Sequence, residues 1–136
     1  MLPKDEIHKE GFTIFLNEKI GEGAQGCVYK CVQDSSMELL VAKVIDSPDI
    51  HILGEVENLR AVAGSSPYLL QYKDSFYYGD NLVIITEYCE KTMPVLLREF
   101  GGKLPETLAQ FYFIQMMTGL QTLHEKQIIH RDIKPQ

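Results

Sequence analysis

Short runs of alternating and continuous apolar residues dominate the first ninety positions of the chain. Five of these runs have the length and the β-branched or aromatic content of strands. They cover residues 12–20, 27–32, 39–45, 68–76 and 82–88. The last two flank a turn at Gly79-Asp80-Asn81, which indicates a hairpin. The pattern predicts consecutive antiparallel strands.

Helical spacing replaces strand spacing in three places. Apolar residues recur every three or four positions between 50 and 63, after a start signal at Ser47-Pro48-Asp49. Residues 93–100 predict a short helix closed by Gly101-Gly102, and a long helix is predicted from about 106 to 125. The long helix is apolar on most sides, so we expect it to be covered by structure that these 136 residues do not supply. The fold class predicted is α+β: a five-stranded antiparallel sheet with one helix, followed by helices.

Composition and charge mainly argue against certain kinds of partner and site. The chain of 136 residues has 45% hydrophobic and 24% charged residues, as expected for a globular domain, and a net charge of -6. This acidity gives no general reason to bind nucleic acid or anionic membranes. The three cysteines lack metal-ligand spacing, and we expect no metal ligands among them. With an odd cysteine count, a polar N-terminus and no apolar run long enough to span a bilayer, we expect a cytoplasmic protein, or a nuclear one, without a membrane span.

A glycine cluster between the first two strands carries the first chemical signal. Residues 21–28 have the pattern G-x-G-x-x-G-x-V. In a dinucleotide-binding fold such glycines open a helix, but the residues after Gly26 are strand formers. The context favours a loop between two strands whose backbone amides cover nucleotide phosphates. A plain hairpin turn is the alternative.

Lys43 interrupts an apolar strand, and an ammonium group in that position needs an anionic partner. On a helical wheel, Glu55 lies on the same side as Ile52 and Leu59, whereas Glu57 points nearly opposite. We therefore expect a Lys43–Glu55 ion pair that leaves the lysine available to a phosphate. The alternative is an edge-strand lysine that reaches solvent.

The last eight residues read Ile-His-Arg-Asp-Ile-Lys-Pro-Gln and follow the long helix. Asp132 is thereby expected on a loop, where a carboxylate can orient a hydroxyl group and accept its proton. An ordinary charged surface turn is the alternative.

Taken in order, these motifs resemble the protein kinase family from about residue 12 to residue 136. The resemblance implies a small kinase lobe at 12–88, preceded by an extension at 1–11 and followed at 89–136 by the hinge and the beginning of an incomplete large lobe. It implies a serine/threonine kinase that binds ATP, acts on a protein substrate and, when complete, uses Mg²⁺. The ending and the hinge are similar to autophagy-initiating and NIMA-related kinases, and cyclin-dependent kinases share Lys-Pro-Gln.

The resemblance also implies roles for individual residues. The catalytic group is Asp132 as base, Lys134 on the transferred phosphate, Lys43 on the α- and β-phosphates and Glu55 as its helix partner. Thr86 resembles the gatekeeper, and the stretch from Glu87 to Cys89 resembles the hinge that binds adenine. The nucleotide-binding residues implied are Ile20, Gly21, Glu22, Gly23, Gly26, Val28, Val41, Lys43, Thr86, Glu87 and Cys89.

Three departures from the family pattern stand out. Gln25 occupies the loop tip, where an aromatic residue is frequent, and we expect it to tune the loop. Val41 replaces the usual alanine and slightly crowds the adenine site. The 136 residues contain neither the magnesium-binding asparagine after Asp132 nor an Asp-Phe-Gly motif.

From this last departure we expect the isolated chain to bind ATP weakly and to be inactive alone. A natural kinase-like docking module without catalysis is the alternative. A nucleotide-binding protein of another fold fits less well with the order of the motifs.

Overall fold

The structure is a computed structural model that describes residues 5–23, 25–130 and 133. The chain divides into two compact units. The first contains residues 1–63 and 70–88, and the second contains residues 64–69 and 89–136.

The first unit is built on one antiparallel sheet. Its strands are β1 (Glu6–Lys9), β2 (Phe12–Gly23), β3 (Gly26–Gln33), β4 (Leu39–Asp46), β5 (Tyr72–Tyr78) and β6 (Asn81–Glu87). Their order across the sheet is β1-β2-β3-β4-β6-β5. The α+β class and the five expected strands are confirmed, with small shifts at their ends.

The sheet has one strand more than expected, because residues 6–9, within the predicted extension, form β1. The strand pairs with β2 through a tight turn at Glu10 and Gly11, whose φ angles are 54° and 81°. Its inward side chain, Ile7, is only 7% exposed, so β1 belongs to the core. Four residues give too short an alternation for the sequence to indicate a strand.

A larger hydrophobic core fills one side of the curled sheet. Side chains from β1 to β4 and from β6 meet there, and Phe12 stacks on Phe76 of β5 with ring centroids 6.2 Å apart. Its buried members are Ile7, Phe12, Ile14, Cys31, Leu40, Ala42, Val83 and Ile85.

The other side of the sheet carries helix α1 (Ile50–Val62). The Asp49 carboxylate caps the helix by accepting a hydrogen bond from the Ile52 N–H at 3.0 Å, as the sequence indicated for this start. Val56 of the helix is buried against Ile45, Leu82 and Ile84. One end of this face is therefore closed by α1.

The second unit contains α2 (Met93–Glu99) and α3 (Glu106–Glu125), close to the predicted bounds. Gly119 of α3 is buried because residues 68 and 69 pack on it. A Cβ at this position would lie 2.9 Å from the Tyr68 carbonyl oxygen. Much of the apolar surface of α3 is exposed, with Ile114 at 64%. In the part of the chain described, none of the helices combines the length and the apolar character that crossing a membrane requires.

Candidate functional site

Four of the predicted site residues share one face of the sheet. In antiparallel pairs, directly opposite residues point to the same side. Val28 of β3 lies opposite Lys43 of β4, and Val41 of β4 lies opposite Thr86 of β6. Val41 and Lys43 are two residues apart on one strand and therefore also point to the same side. We call Val28, Val41, Lys43 and Thr86 the Lys43 face.

The Lys43 face is half-buried and adjoins the part of the sheet that α1 covers. Lys43 lies opposite Ile84, which belongs to the cluster buried under the helix. The face thus combines apolar side chains with one ammonium group, at the edge of a packed region. Such a surface can hold the flat, apolar side of a ligand and an anionic group together.

The glycine cluster joins β2 to β3 beside this face, and its three glycines differ in their surroundings. A Cβ at Gly21 or Gly23 would meet no atom within 4 Å. At Gly26 the φ angle is 152°, and a Cβ would collide with the backbone carbonyl oxygen of Val44. Gly26 is thus needed for the close approach of β3 and β4, whereas Gly21 and Gly23 leave open space for a ligand.

Ile20 and Glu22 lie in the irregular part of β2. The register shifts between Lys19 and Gly21, which leaves Ile20 in a bulge with its side chain 46% exposed. Glu22 is exposed and accepts a hydrogen bond from Lys19 at 2.7 Å. This hydrogen bond lowers the pKa of Glu22 and raises the pKa of Lys19.

The ion pair expected between Lys43 and Glu55 is absent from the ion pairs formed by residues 5–23, 25–130 and 133. The Lys43 Nζ atom instead donates a hydrogen bond to the Gln25 Oε1 atom at 3.0 Å. The Glu55 side chain is exposed, because α1 turns Val56 toward the sheet. The expectation that Glu55 faces the strands is therefore wrong for this structure. Its predicted role as partner of Lys43 stays a prediction.

Glu87, at the end of β6, has part of its backbone engaged. Its N–H donates to the Gln71 carbonyl at 3.0 Å, and its carboxylate accepts from the Gln71 N–H at 2.9 Å. Its carbonyl accepts a long contact of 3.4 Å from the Thr86 hydroxyl. The Glu87 N–H is thus already engaged as a donor, whereas the Glu87 carbonyl is the backbone group that can accept a hydrogen bond from a ligand. Cys89 is exposed and belongs to the second unit.

A depression of about 610 Å³ lies beside the connection from Gly21 to Gly26, which we call the glycine loop. Its lining includes Tyr29 and Val44, which alternate along their strands with Val28 and Lys43 and so point to the opposite side of the sheet. Burial raises the pKa of the Tyr29 hydroxyl. None of the four residues of the Lys43 face lines this depression. Gly23, Gln25 and Gly26 do line it, so the depression adjoins the predicted site only at the loop between β2 and β3.

Asp132 and Lys134, the predicted base and phosphate-contacting lysine, lie outside the described residues. Within 5–23, 25–130 and 133, the structure brings together no three His, Cys, Asp or Glu side chains as metal ligands. We therefore assign no residue to the magnesium ion that the resemblance implies.

Comparison with known proteins gives a consistent result. The family model described as the protein kinase domain matches residues 15–136. Cell division control protein 7 of Schizosaccharomyces pombe is 33% identical over 129 residues, which are 90% of this chain and 12% of the relative. Serine/threonine-protein kinase ULK3 of Xenopus laevis is 32% identical over 128 residues, 89% of this chain and 27% of the relative.

A plant relative has a similar identity and a similar partial coverage. Serine/threonine-protein kinase ATG1a of Arabidopsis thaliana is 32% identical over 127 residues, 89% of this chain and 20% of the relative. The chain thus spans between 12% and 27% of the length of these three relatives.

Proposed function

Since this chain belongs to the protein kinase family, we propose that it binds ATP on the Lys43 face. We propose that the complete kinase transfers phosphate from ATP to serine or threonine residues of a protein. The observation that carries the proposal is the position of the Lys43 ammonium group. It lies on the same side of the sheet as Val28 and Val41 and within reach of the glycine loop. ATP needs both an apolar surface for adenine and positive charge for its phosphates.

Adenine fits the apolar part of the face. Val28 and Val41 present branched side chains to a flat ring, and the Glu87 carbonyl can accept a hydrogen bond from its amino group. A purine bound this way buries apolar surface worth about 25 cal/mol per Å². Thr86 lies opposite Val41 and so borders this surface.

The phosphates fit the loop and the lysine. Gly21 and Gly23 leave room for oxygen atoms to approach the backbone, since no atom occupies the space of a side chain there. Lys43 supplies a point charge that phosphate oxygens satisfy with short, charge-assisted hydrogen bonds. When bound, ATP supplies the γ-phosphoryl group that a protein hydroxyl accepts.

We further propose that these 136 residues alone bind ATP weakly and do not transfer phosphate. Phosphoryl transfer depends on positioning and on metal ions that neutralise the developing charge. The 136 residues contain no Asp-Phe-Gly motif, and the described residues bring together no three His, Cys, Asp or Glu side chains as metal ligands. We therefore propose serine/threonine kinase activity for the complete kinase and not for these 136 residues alone.

Calorimetric titration with ATP tests the binding proposal. We expect saturable binding by the chain and at least a tenfold loss of affinity for Lys43→Ala, about 1.4 kcal/mol, because the phosphates lose their cation. Adenosine should bind both chains equally.

The matched control is Lys73→Ala. Lys73 is also a strand lysine of the first unit, but its ammonium group lies 3.5 Å from the Glu38 carboxylate. The variant should bind ATP as the original chain does. Equal loss in both variants, or no binding of ATP to the original chain, would contradict the proposal.

A further inference from the structure

The Lys43 ammonium group has a partner that its predicted role does not require. Gln25, at the tip of the glycine loop, accepts a hydrogen bond from it at 3.0 Å across a separation of 18 residues. Gln25 is exposed and Lys43 is half-buried, so the contact lies at the mouth of the site. The loop tip therefore reaches the cation that the phosphates need.

Backbone pairing places the residues that follow Gln25 beside β4. Cys27 lies opposite Val44 and Val28 lies opposite Lys43, so the end of the loop is held in register with β4. Gly26 lets the two strands approach until only hydrogen fits between it and the Val44 carbonyl. Gln25 immediately precedes Gly26, and its side chain starts one residue from this anchored point. This short separation keeps the Gln25 amide within reach of Lys43.

The chemistry of the contact resembles that of a phosphate oxygen, but it is weaker. The amide oxygen of Gln25 is a neutral acceptor, whereas a phosphate oxygen is charged and forms the stronger hydrogen bond to an ammonium group. A bound phosphate should therefore displace the glutamine. The displacement costs the hydrogen bond that Gln25 already makes.

Resting on the proposed function, we propose that Gln25 is a gate residue that competes with nucleotide phosphates for Lys43. Its amide holds the lysine when no nucleotide is bound and lowers the affinity for phosphorylated nucleotides. It leaves the affinity for adenosine unchanged. Gln25 thereby reduces the preference of the site for phosphorylated nucleotides over adenosine.

The test compares ADP and adenosine binding by calorimetry to the full chain and to Gln25→Ala. The contact is exposed, and loss of one ordinary hydrogen bond predicts about a 3- to 10-fold gain in ADP affinity. Adenosine affinity should not change. The control is Gln33→Ala, which removes the same amide at a position where it accepts a hydrogen bond from Ser36 instead. In a Lys43→Ala background, the gain from Gln25→Ala should disappear.

A second measurement needs no nucleotide. Brief acylation with acetic anhydride, read by mass spectrometry, should modify Lys43 faster in Gln25→Ala than in the original chain. The rate at Lys73 should be the same in both.

The outcomes are distinguishable. If the original chain binds ADP and Gln25→Ala binds it no more tightly, the gating role is overturned while the proposed function stands. An unchanged acylation rate at Lys43 also overturns the gating role. If neither chain binds ADP, the proposed function fails and the gating role fails with it.

Discussion

Replacing Gly26 with alanine should destabilise the first unit far more than the same change at the other two loop glycines. At Gly26 the φ angle is 152°, where an L side chain is strained. The new Cβ would overlap the Val44 carbonyl oxygen and lie 3.0 Å from the Val44 carbonyl carbon and 3.2 Å from the Ile45 Cα. All three atoms belong to the backbone of β4, so no side-chain rotation relieves the clash.

The magnitude follows from these two costs. Holding a non-glycine residue in an unfavourable φ region costs about 1–3 kcal/mol. Forcing a strand apart to admit one carbon atom adds about 1–3 kcal/mol. Together they predict a loss of roughly 2–6 kcal/mol of unfolding free energy, a large part of the roughly 5–15 kcal/mol typical of a domain.

The controls are Gly21→Ala and Gly23→Ala. Neither glycine has a positive φ angle, and neither has an atom within 4 Å of the added carbon. Alanine in such a position restricts the unfolded chain, so we expect no loss and a gain of up to about 1 kcal/mol.

The assay is urea unfolding followed by far-ultraviolet circular dichroism, with amide hydrogen exchange of β3 and β4 to locate the change. A loss for Gly26→Ala no larger than that for Gly23→Ala would refute the assigned close approach of β3 and β4.

Three further predictions concern the first unit and the exposed helix. Burial, and to a lesser extent the charge of Asp34, raises the pKa of Cys31 to about 12. In the unfolded chain the thiol loses its proton near pH 8.5. The free energy of unfolding should therefore fall as the pH rises from about 9 to about 12. Urea unfolding at several pH values should show this fall. It should be smaller in Cys31→Ala, where the raised pKa of Tyr29 still contributes in the same direction. Removing the cap with Asp49→Ala should cost about 1 kcal/mol, seen as a lower urea midpoint, and no change would contradict the capping contact. Phe12→Ala should lower the free energy of unfolding by about 3–5 kcal/mol because Phe12 is buried. Phe111→Ala should change it little, because Phe111 is 58% exposed. Equal losses in the two variants would argue against the core described.

Most of the fold could be predicted because its signals are local. Each strand from β2 to β6 is long enough to show an apolar pattern, and α1 carries its own cap at Asp49. β1 was missed because four residues do not establish an alternation. The predicted start of β5 at residue 68 was too early, because the Tyr68 backbone packs against Gly119 and the strand begins at Tyr72.

Part of the candidate site could also be predicted from local signals, and part could not. The placement of Val28, Val41 and Lys43 on one face follows from strand periodicity and register. The partner of Lys43 does not, because a side-chain hydrogen bond between residues 18 apart leaves no spacing in the sequence. Helical-wheel geometry placed Glu55 beside the packed residues of α1, but an exposed carboxylate at the border of that face has no need to turn inward. The Gln25 amide then meets the requirement of Lys43 for a partner.

The most direct test of the nucleotide-binding face uses the methyl groups of four valines as reporters. Val28 and Val41 lie on the Lys43 face, whereas Val44 and Val83 pack in the core on the opposite side. Methyl NMR spectra recorded during titration with ADP compare the two pairs within one sample. The account predicts saturable shifts for Val28 and Val41 that are much larger than those for Val44 and Val83. Shifts confined to Val44 and Val83, or no shifts at saturating ADP, would contradict it.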